Sequence, residues 1–216
     1  MITSALIVAG GSGIRFSNKT PKQFLLANGK PILMHTISCF SKFDNICVVL
    51  PKRYFSDWTS LCKEHEFKIK HTLVEGGENR FKSVRNGLKK INNNGIVLIH
   101  DGVRPCITKQ LINNLIKNVS NGYGVVPVLP ITDSLIYIEQ GKTKSIRREN
   151  YFSAQTPQAF MLNEINNAYS QDFDPKFTDD ASVFESFGKR IKTVEGDIKN
   201  IKVTYPVDLH IVNKYL

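Results

Sequence analysis

Short runs of β-branched and aliphatic residues alternate with segments of helical period along the chain. Ala5 to Ala9 reads as a strand and Ile32 to Phe43 as the helix after it; Ile46 to Leu50 pairs in the same way with Phe55 to His65, and Ile69 to Val74 with Phe81 to Ile91. Ile96 to Ile99, a helix near Gln110 to Val119 and Gly124 to Val128 continue the alternation. Such strands, apolar along their length rather than at every second position, are buried on both faces. The pattern therefore predicts a three-layer α/β fold around a mostly parallel sheet.

One stretch breaks the rhythm. From Ile131 to Arg148 the chain reads as two short strands, around Ser134 to Ile138 and Lys144 to Arg147, joined by Glu139-Gln140-Gly141-Lys142. This is a β-hairpin arm, about 131–148, inserted into the α/β body. With no helix to cover it, its edges either pack against a second subunit or face water as a flap. Neither a repeat, a low-complexity tract nor a linker interrupts the chain, so 1–216 reads as one domain.

Length and composition narrow the class. A chain of 216 residues that is 41% hydrophobic can bury a substantial core. No apolar stretch approaches the roughly 18 residues a membrane-spanning helix needs, and the amino terminus has no signal-peptide pattern, so the chain reads as soluble and cytoplasmic, with no membrane partner. Cys39, Cys47, Cys62 and Cys106 are widely spaced and lie in or beside apolar runs, which fits reduced thiols. The five histidines are scattered, so no zinc site is formed with them. A formal charge of +10 points to an anionic partner without saying whether it is a nucleic acid or a small phosphorylated molecule. Nucleic-acid binding predicts a stripe of cations with interleaved aromatics, and the sequence has none. The informative cations stand instead beside glycines, prolines and strand ends.

The segment Ala9-Gly10-Gly11-Ser12-Gly13-Ile14-Arg15-Phe16 follows the first strand directly, where α/β sheets present ligand-binding loops. Glycines let backbone N–H groups close on a phosphate. A dinucleotide fingerprint would need glycine where Phe16 stands and an acidic residue where Leu50-Pro51-Lys52 lies, and it fails on both. No Gly-Lys pair completes a P-loop motif either. What marks this loop is the cation pair Arg15 and Lys22, the latter in Pro21-Lys22-Gln23-Phe24. Attack on a nucleotide α-phosphate gathers negative charge that two fixed cations would offset. Spacing alone leaves open that both are surface residues.

Taken together, Ala9 to Phe16, Pro21 to Phe24, Gly76 to Val84 (GGENRFKSV), His100 to Pro105 (HDGVRP), Ala154 to Phe160 (AQTPQAF), Phe177 to Ser182 (FTDDAS) and Glu195 to Thr204 (EGDIKNIKVT) resemble the 2-C-methyl-D-erythritol 4-phosphate cytidylyltransferases, in order and from end to end. The resemblance implies a Rossmann-like nucleotidyltransferase fold, a homodimer joined by the arm, and a magnesium-dependent third step of the non-mevalonate isoprenoid pathway, in which CMP from CTP is joined to a sugar-alcohol phosphate with release of pyrophosphate. Carried over by position, it implies that Ala9, Gly10, Gly11, Gly13 and Lys22 hold the triphosphate. Gly77, Glu78 and Ser83 would face cytosine and ribose, with Gly102 a further CTP contact; the family often has Asp where Glu78 stands.

By the same resemblance Arg15 and Lys22 are transition-state stabilisers, and Lys202 joins them beside the acceptor phosphate. Asp101 and Arg104 match acceptor-binding positions, as do Thr156 and, on the arm, Ser134 (often Thr in the family) and Arg148, which would reach the acceptor from the other subunit. Asp101 is also the implied protein neighbour of a magnesium ion held mainly by phosphate oxygens and water. Outside the motif set, Asp101 could equally be a helix cap and Arg148 part of a basic run. The sister family of ribitol 5-phosphate cytidylyltransferases shares the chemistry and nearly the same loops. Ala154 to Gln158 and Thr178 to Val183 look more like the methylerythritol enzymes.

Overall fold

The computed structural model describes residues 1–10, 20–92 and 94–216. Strand β1 (Ile2–Val8) is followed by a small hairpin, β2 (Leu26–Ala27) and β3 (Lys30–Pro31), and by helix α1 (Ile32–Ser38). Then come β4 (Asn45–Leu50), α2 (Phe55–Glu64), β5 (Thr72–Glu75), α3 (Arg80–Leu88), β6 (Gly95–Asp101), α4 (Lys109–Asn118) and β7 (Tyr123–Pro130). The hairpin β8 (Leu135–Glu139) and β9 (Lys142–Ile146) leads to β10 (Phe152–Ala154), β11 (Gln158–Met161), α5 (Leu162–Ala168), α6 (Asp180–Ser186), β12 (Arg190–Glu195) and α7 (Pro206–Tyr215). None of the described helices is long and apolar enough to cross a membrane.

The main sheet runs β10-β7-β11-β6-β1-β4-β5, with β12 added in parallel to β7. β1 lies parallel to both β4 and β6, and β4 parallel to β5. β10 and β11 are the antiparallel members. Helices cover both faces, so β6 is buried at every residue and Ala5, Leu6 and Ile7 of β1 are fully hidden. Two apolar cores result. One packs β1, β4 and β6 against α1, α2 and α4; the other packs the opposite face against α3, α5 and α6. A third, smaller cluster of Ala27, Ile32, Val103, Cys106, Val203 and Val212 ties the β2–β3 hairpin, the segment after β6 and α7 together.

The elements begin where their caps fall. Asn79 accepts from the Lys82 N–H at the start of α3, Thr108 from Leu111 at α4, and Asp179 forms a capping box with Ser182 at α6. Several expected boundaries move: β1 begins at Ile2 rather than Ala5 and α3 ends at Leu88 rather than Ile91, and two other shifts have a visible cause. α1 stops at Ser38, whose hydroxyl donates back to the Met34 carbonyl, and Phe43 then turns in to meet Phe40 edge-on at 5.2 Å. β5 starts at Thr72 because the His71 ring occupies the Ile69 carbonyl and takes the Trp58 indole N–H, drawing that segment off the ladder.

The expected arm is present as a two-stranded sheet of its own, from Leu135↔Ile146 to Glu139↔Lys142. Gln140 and Gly141, at φ 48° and 78°, make the two-residue turn whose twist matches paired strands. Cys47 and Cys106 are buried and Cys39 and Cys62 half-buried, all as free thiols.

Candidate active site

β1 sends the chain to β4 and β5 on one side, whereas β6, on its other side, leads away toward β11 and β7. A crevice therefore opens at the carboxyl ends of β1 and β6, the switch point where α/β folds bind ligands. A cavity of about 210 Å³ lies there, floored by Val8, Ala9 and Gly10 after β1 and by Asp101 and Val103 after β6. Gly77, Glu78, Asn79, Arg80 and Ser83 form one wall; Lys22 with Gln23, and Lys202, complete it.

Local sequence explains how each wall is held. In the 3-10 turn Lys22–Phe24, Phe24 stacks on Trp58 at 5.9 Å and meets Tyr54 edge-on at 5.8 Å, which anchors the turn and leaves Lys22 on the cavity. Gln23 beside it is 1% exposed, and its Nε2 finds no hydrogen-bond partner among the described residues. Along the second wall the Gly77 N–H donates to Ser83 Oγ at 2.9 Å, and the Gly76 N–H to the Leu50 carbonyl at 2.9 Å. The Glu78 carboxylate is exposed on the rim and pairs with Lys82. That hydrogen bond and the charge behind it hold Glu78 below the ordinary range.

Across the cavity three segments are knitted into one. The Lys202 ammonium lies 2.9 Å from Asp101 Oδ2, and Arg104 Nε donates to the same oxygen at 3.4 Å. Arg104 Nη1 donates to the Asn200 carbonyl at 2.7 Å, and Asn200 Nδ2 to the Thr156 carbonyl at 2.8 Å. Gln155 and Asp197 exchange hydrogen bonds at 2.9 and 3.0 Å. Burial favours the protonated form of Asp101, but the cations of Lys202, Arg80 and Arg104 outweigh it and hold the carboxyl well below the usual range. It is an acceptor suited to hydroxyl groups.

His100 sits fully buried behind this floor. Its Nε2 lies 3.0 Å from the Arg104 carbonyl, which can only accept, so the proton is on Nε2 and Nδ1 accepts from the Thr156 hydroxyl at 3.1 Å. Thr156 Oγ1 in turn accepts from the Asp101 N–H at 3.0 Å. Burial pushes His100 down to about 4, despite the hydrogen bond to Arg104 and the nearby Asp101 charge. The ring is a neutral strut with both nitrogens engaged, not a base.

The structure thus brings Ala9, Gly10, Lys22, Gly77, Glu78, Ser83, Asp101 and Lys202 onto one cavity. Thr156 stands behind it and Arg104 turns toward the segment at Asn200; Gly102 is buried where a Cβ would meet that of Ala9 at 2.8 Å, which is why the two loops can close. Ser134 and Arg148 lie apart, on the exposed arm, with Arg148 donating to the Thr132 carbonyl. Gly11, Gly13 and Arg15 lie outside the described residues. Sequence reasoning gave no role to Gln23, Asn79, Arg80 or His100. All four lie inside the motifs it quoted, so position within a motif was the available signal. Asp101 caps no helix, since Thr108 does so for α4.

A cation-flanked crevice at the switch point of this sheet suits a phosphorylated ligand, and the same α/β fold is found in solved nucleotidyltransferases. The fold aligns over the whole of both chains with the crystal structure of Francisella tularensis 2-C-methyl-D-erythritol 4-phosphate cytidylyltransferase, at a TM-score of 0.83 and 31% identity. Among curated relatives of that name, the chain is 42% identical to one from Bacteroides fragilis over all of both sequences, and 45% identical to one from Azobacteroides pseudotrichonymphae over 95% of each. The model of the 2-C-methyl-D-erythritol 4-phosphate cytidylyltransferase (IspD) family matches residues 3–216, and the chain belongs to that family.

Proposed function

We infer that the protein transfers CMP from CTP to 2-C-methyl-D-erythritol 4-phosphate and releases pyrophosphate, a step of isoprenoid precursor synthesis. The observation that carries this reading is the convergence of Lys22, Ser83, Asp101 and Lys202, far apart in sequence, on one cavity at the switch point. Ala9, Gly10 and Lys22, with Gly11 and Gly13, hold the triphosphate. Gly77, Glu78, Ser83 and Gly102 serve the cytidine side.

An oxygen of the acceptor phosphate attacks the α-phosphorus of CTP in line. A new P–O bond forms as the bond from that phosphorus to the β-phosphate oxygen breaks, and pyrophosphate leaves. Lys22 and Arg15 offset the charge that builds on the transferring group. Lys202 steadies the acceptor phosphate while Asp101 accepts from the sugar hydroxyls. A phosphate monoester, with a second pKa of about 6, is largely ionised near neutrality, so no base is needed to strip a proton. A neutral, fully engaged His100 is consistent with that.

Among the described residues no group of three or more His, Cys, Asp or Glu could cage a metal ion. Asp101 is the carboxylate on the cavity floor, already facing two cations. This donor set fits magnesium carried in by the triphosphate, with Asp101 as its protein neighbour and phosphate oxygens and water as its other ligands. When bound, the ion would neutralise charge on the phosphates.

Ser134 and Arg148 complete the acceptor site of a second copy in a homodimer of single-domain subunits working in the cytoplasm. The exposed Ile136, Tyr137 and Ile138 of the arm support that pairing. Turnover of CTP with methylerythritol 4-phosphate and with ribitol 5-phosphate, followed by pyrophosphate release, tests the acceptor. The first should be preferred, and preference for ribitol 5-phosphate would replace this reading with that of the sister enzyme.

A further inference from the structure

Asp180 takes no part in the scheme above. Its carboxylate is fully buried in the first turn of α6, where the helix end favours an anion but isolation from water would be costly without a cation. Arg80 supplies the cation as a fork: Nη1 donates to Oδ1 at 2.7 Å and Nη2 to Oδ2 at 2.6 Å. The Tyr169 hydroxyl donates to Oδ1 at 2.6 Å. α6 is itself fastened to the sheet, since Gln158 of β11 donates to the Asp179 carboxylate at 2.7 Å and accepts from the Ala181 N–H at 2.8 Å.

The other end of the fork is on the cavity. Arg80 lines it as the first residue of α3, directly after the cap Asn79 and between Glu78 and Ser83. The next residue, Phe81, lies 4.8 Å from the Tyr169 ring and 5.6 Å from that of Phe177. Among the described residues Glu78 bonds along the rim, to Lys82, whereas Arg80 reaches across 100 residues of sequence to α6, which is fastened to the sheet. We propose that Arg80 is a positioning residue for the nucleotide: Asp180 clamps its guanidinium, and the clamp sets where the wall from Gly77 to Ser83 stands against the base and ribose of CTP. The proposal rests on the cytidylyl-transfer reading.

Lysine in place of Arg80 keeps the positive charge that Asp101 feels across the cavity but cannot make the fork, so the loss falls on the nucleotide side. Steady-state kinetics with each substrate varied in turn, together with the melting temperature, test this. Arg80→Lys should raise the KM for CTP by about tenfold, leaving kcat and the acceptor KM within about twofold. Tyr169→Phe, which leaves the ion pair in place, should raise the KM for CTP by about threefold and serves as the reading should Arg80→Lys fail to fold. A folded variant with a lower melting temperature and an unchanged KM for CTP would leave the clamp a merely structural brace and overturn the proposal. So would an equal rise in both KM values, or a fall in kcat alone. No pyrophosphate release by the unaltered protein would instead overturn cytidylyl transfer itself, and the proposal with it.

Discussion

Asp101 ends a strand buried at every residue, whereas Arg148 follows a hairpin whose strands, among the described residues, pair only with each other. Around Asp101, three chain segments are tied together by hydrogen bonds and an ion pair. On the arm, Ile136 and Ile138 are 62% and 66% exposed. The contrast teaches where a single chain can fix chemistry. Burial drives these polar groups to pair with one another, although Asn200 Oδ1 finds no partner among the described residues; an uncovered hairpin is held by its ladder alone and takes a defined role only from whatever covers it.

The comparison can be broken most forcefully at Lys22. Lys22→Ala should lower kcat by about 10²- to 10³-fold, the usual cost of removing one transition-state stabiliser. Phe24, stacked on Trp58 and edge-on to Tyr54, still anchors the turn in that variant, so the fold should be kept. Near-normal pyrophosphate release would remove Lys22 from the chemistry.

Next in size is a dependence of stability on pH that belongs to the body alone. His100 is neutral when folded down to about pH 4, but in the unfolded chain it binds a proton below about 6.5. Since the unfolded state holds more protons in that window, stability falls as pH drops from 6.5 toward 4 and levels below it, by up to roughly 3 kcal/mol. Denaturant titrations across this range should show the slope, and His100→Gln should flatten it. A slope unchanged by that substitution would mean His100 is not its source; a smaller residual slope is expected from His71, which burial also holds below its ordinary value. Asp101, also depressed when folded, adds its loss only below the ordinary carboxylate value and so at more acid pH.

The smallest effect belongs to the arm. Arg148→Ala should raise the acceptor KM by about tenfold and leave the KM for CTP within about twofold. Equal changes in both would contradict a contact confined to the acceptor.

Much of the site could be read in the sequence because its parts are local. A glycine-rich loop after a strand, Asp101 at a strand end and Lys22 beside a buried aromatic each leave a short pattern. The Arg80–Asp180 fork leaves none, since it joins residues 100 apart and depends on α3 and α6 lying on the same face. The doubled aspartate before α6 was the nearest clue: Asp179 caps the helix, and Asp180 needs another partner. His100 escaped for the same reason, as its strut role exists only once Thr156 is beside it. The boundary of β5 was misplaced because a histidine ring took a backbone carbonyl that apolar patterning would give to the ladder.

The knot around Asp101 also has a bearing on synthesis. Its cation Lys202 and the Asn200 carbonyl that holds Arg104 leave the ribosome after every other group in the knot. α7, later still, closes on the hairpin that follows Lys22, with the Asn28 N–H donating to Asn213 Oδ1 at 2.9 Å. A chain cut before these residues lacks the cation that its central carboxylate faces, whatever else of the sheet it has formed.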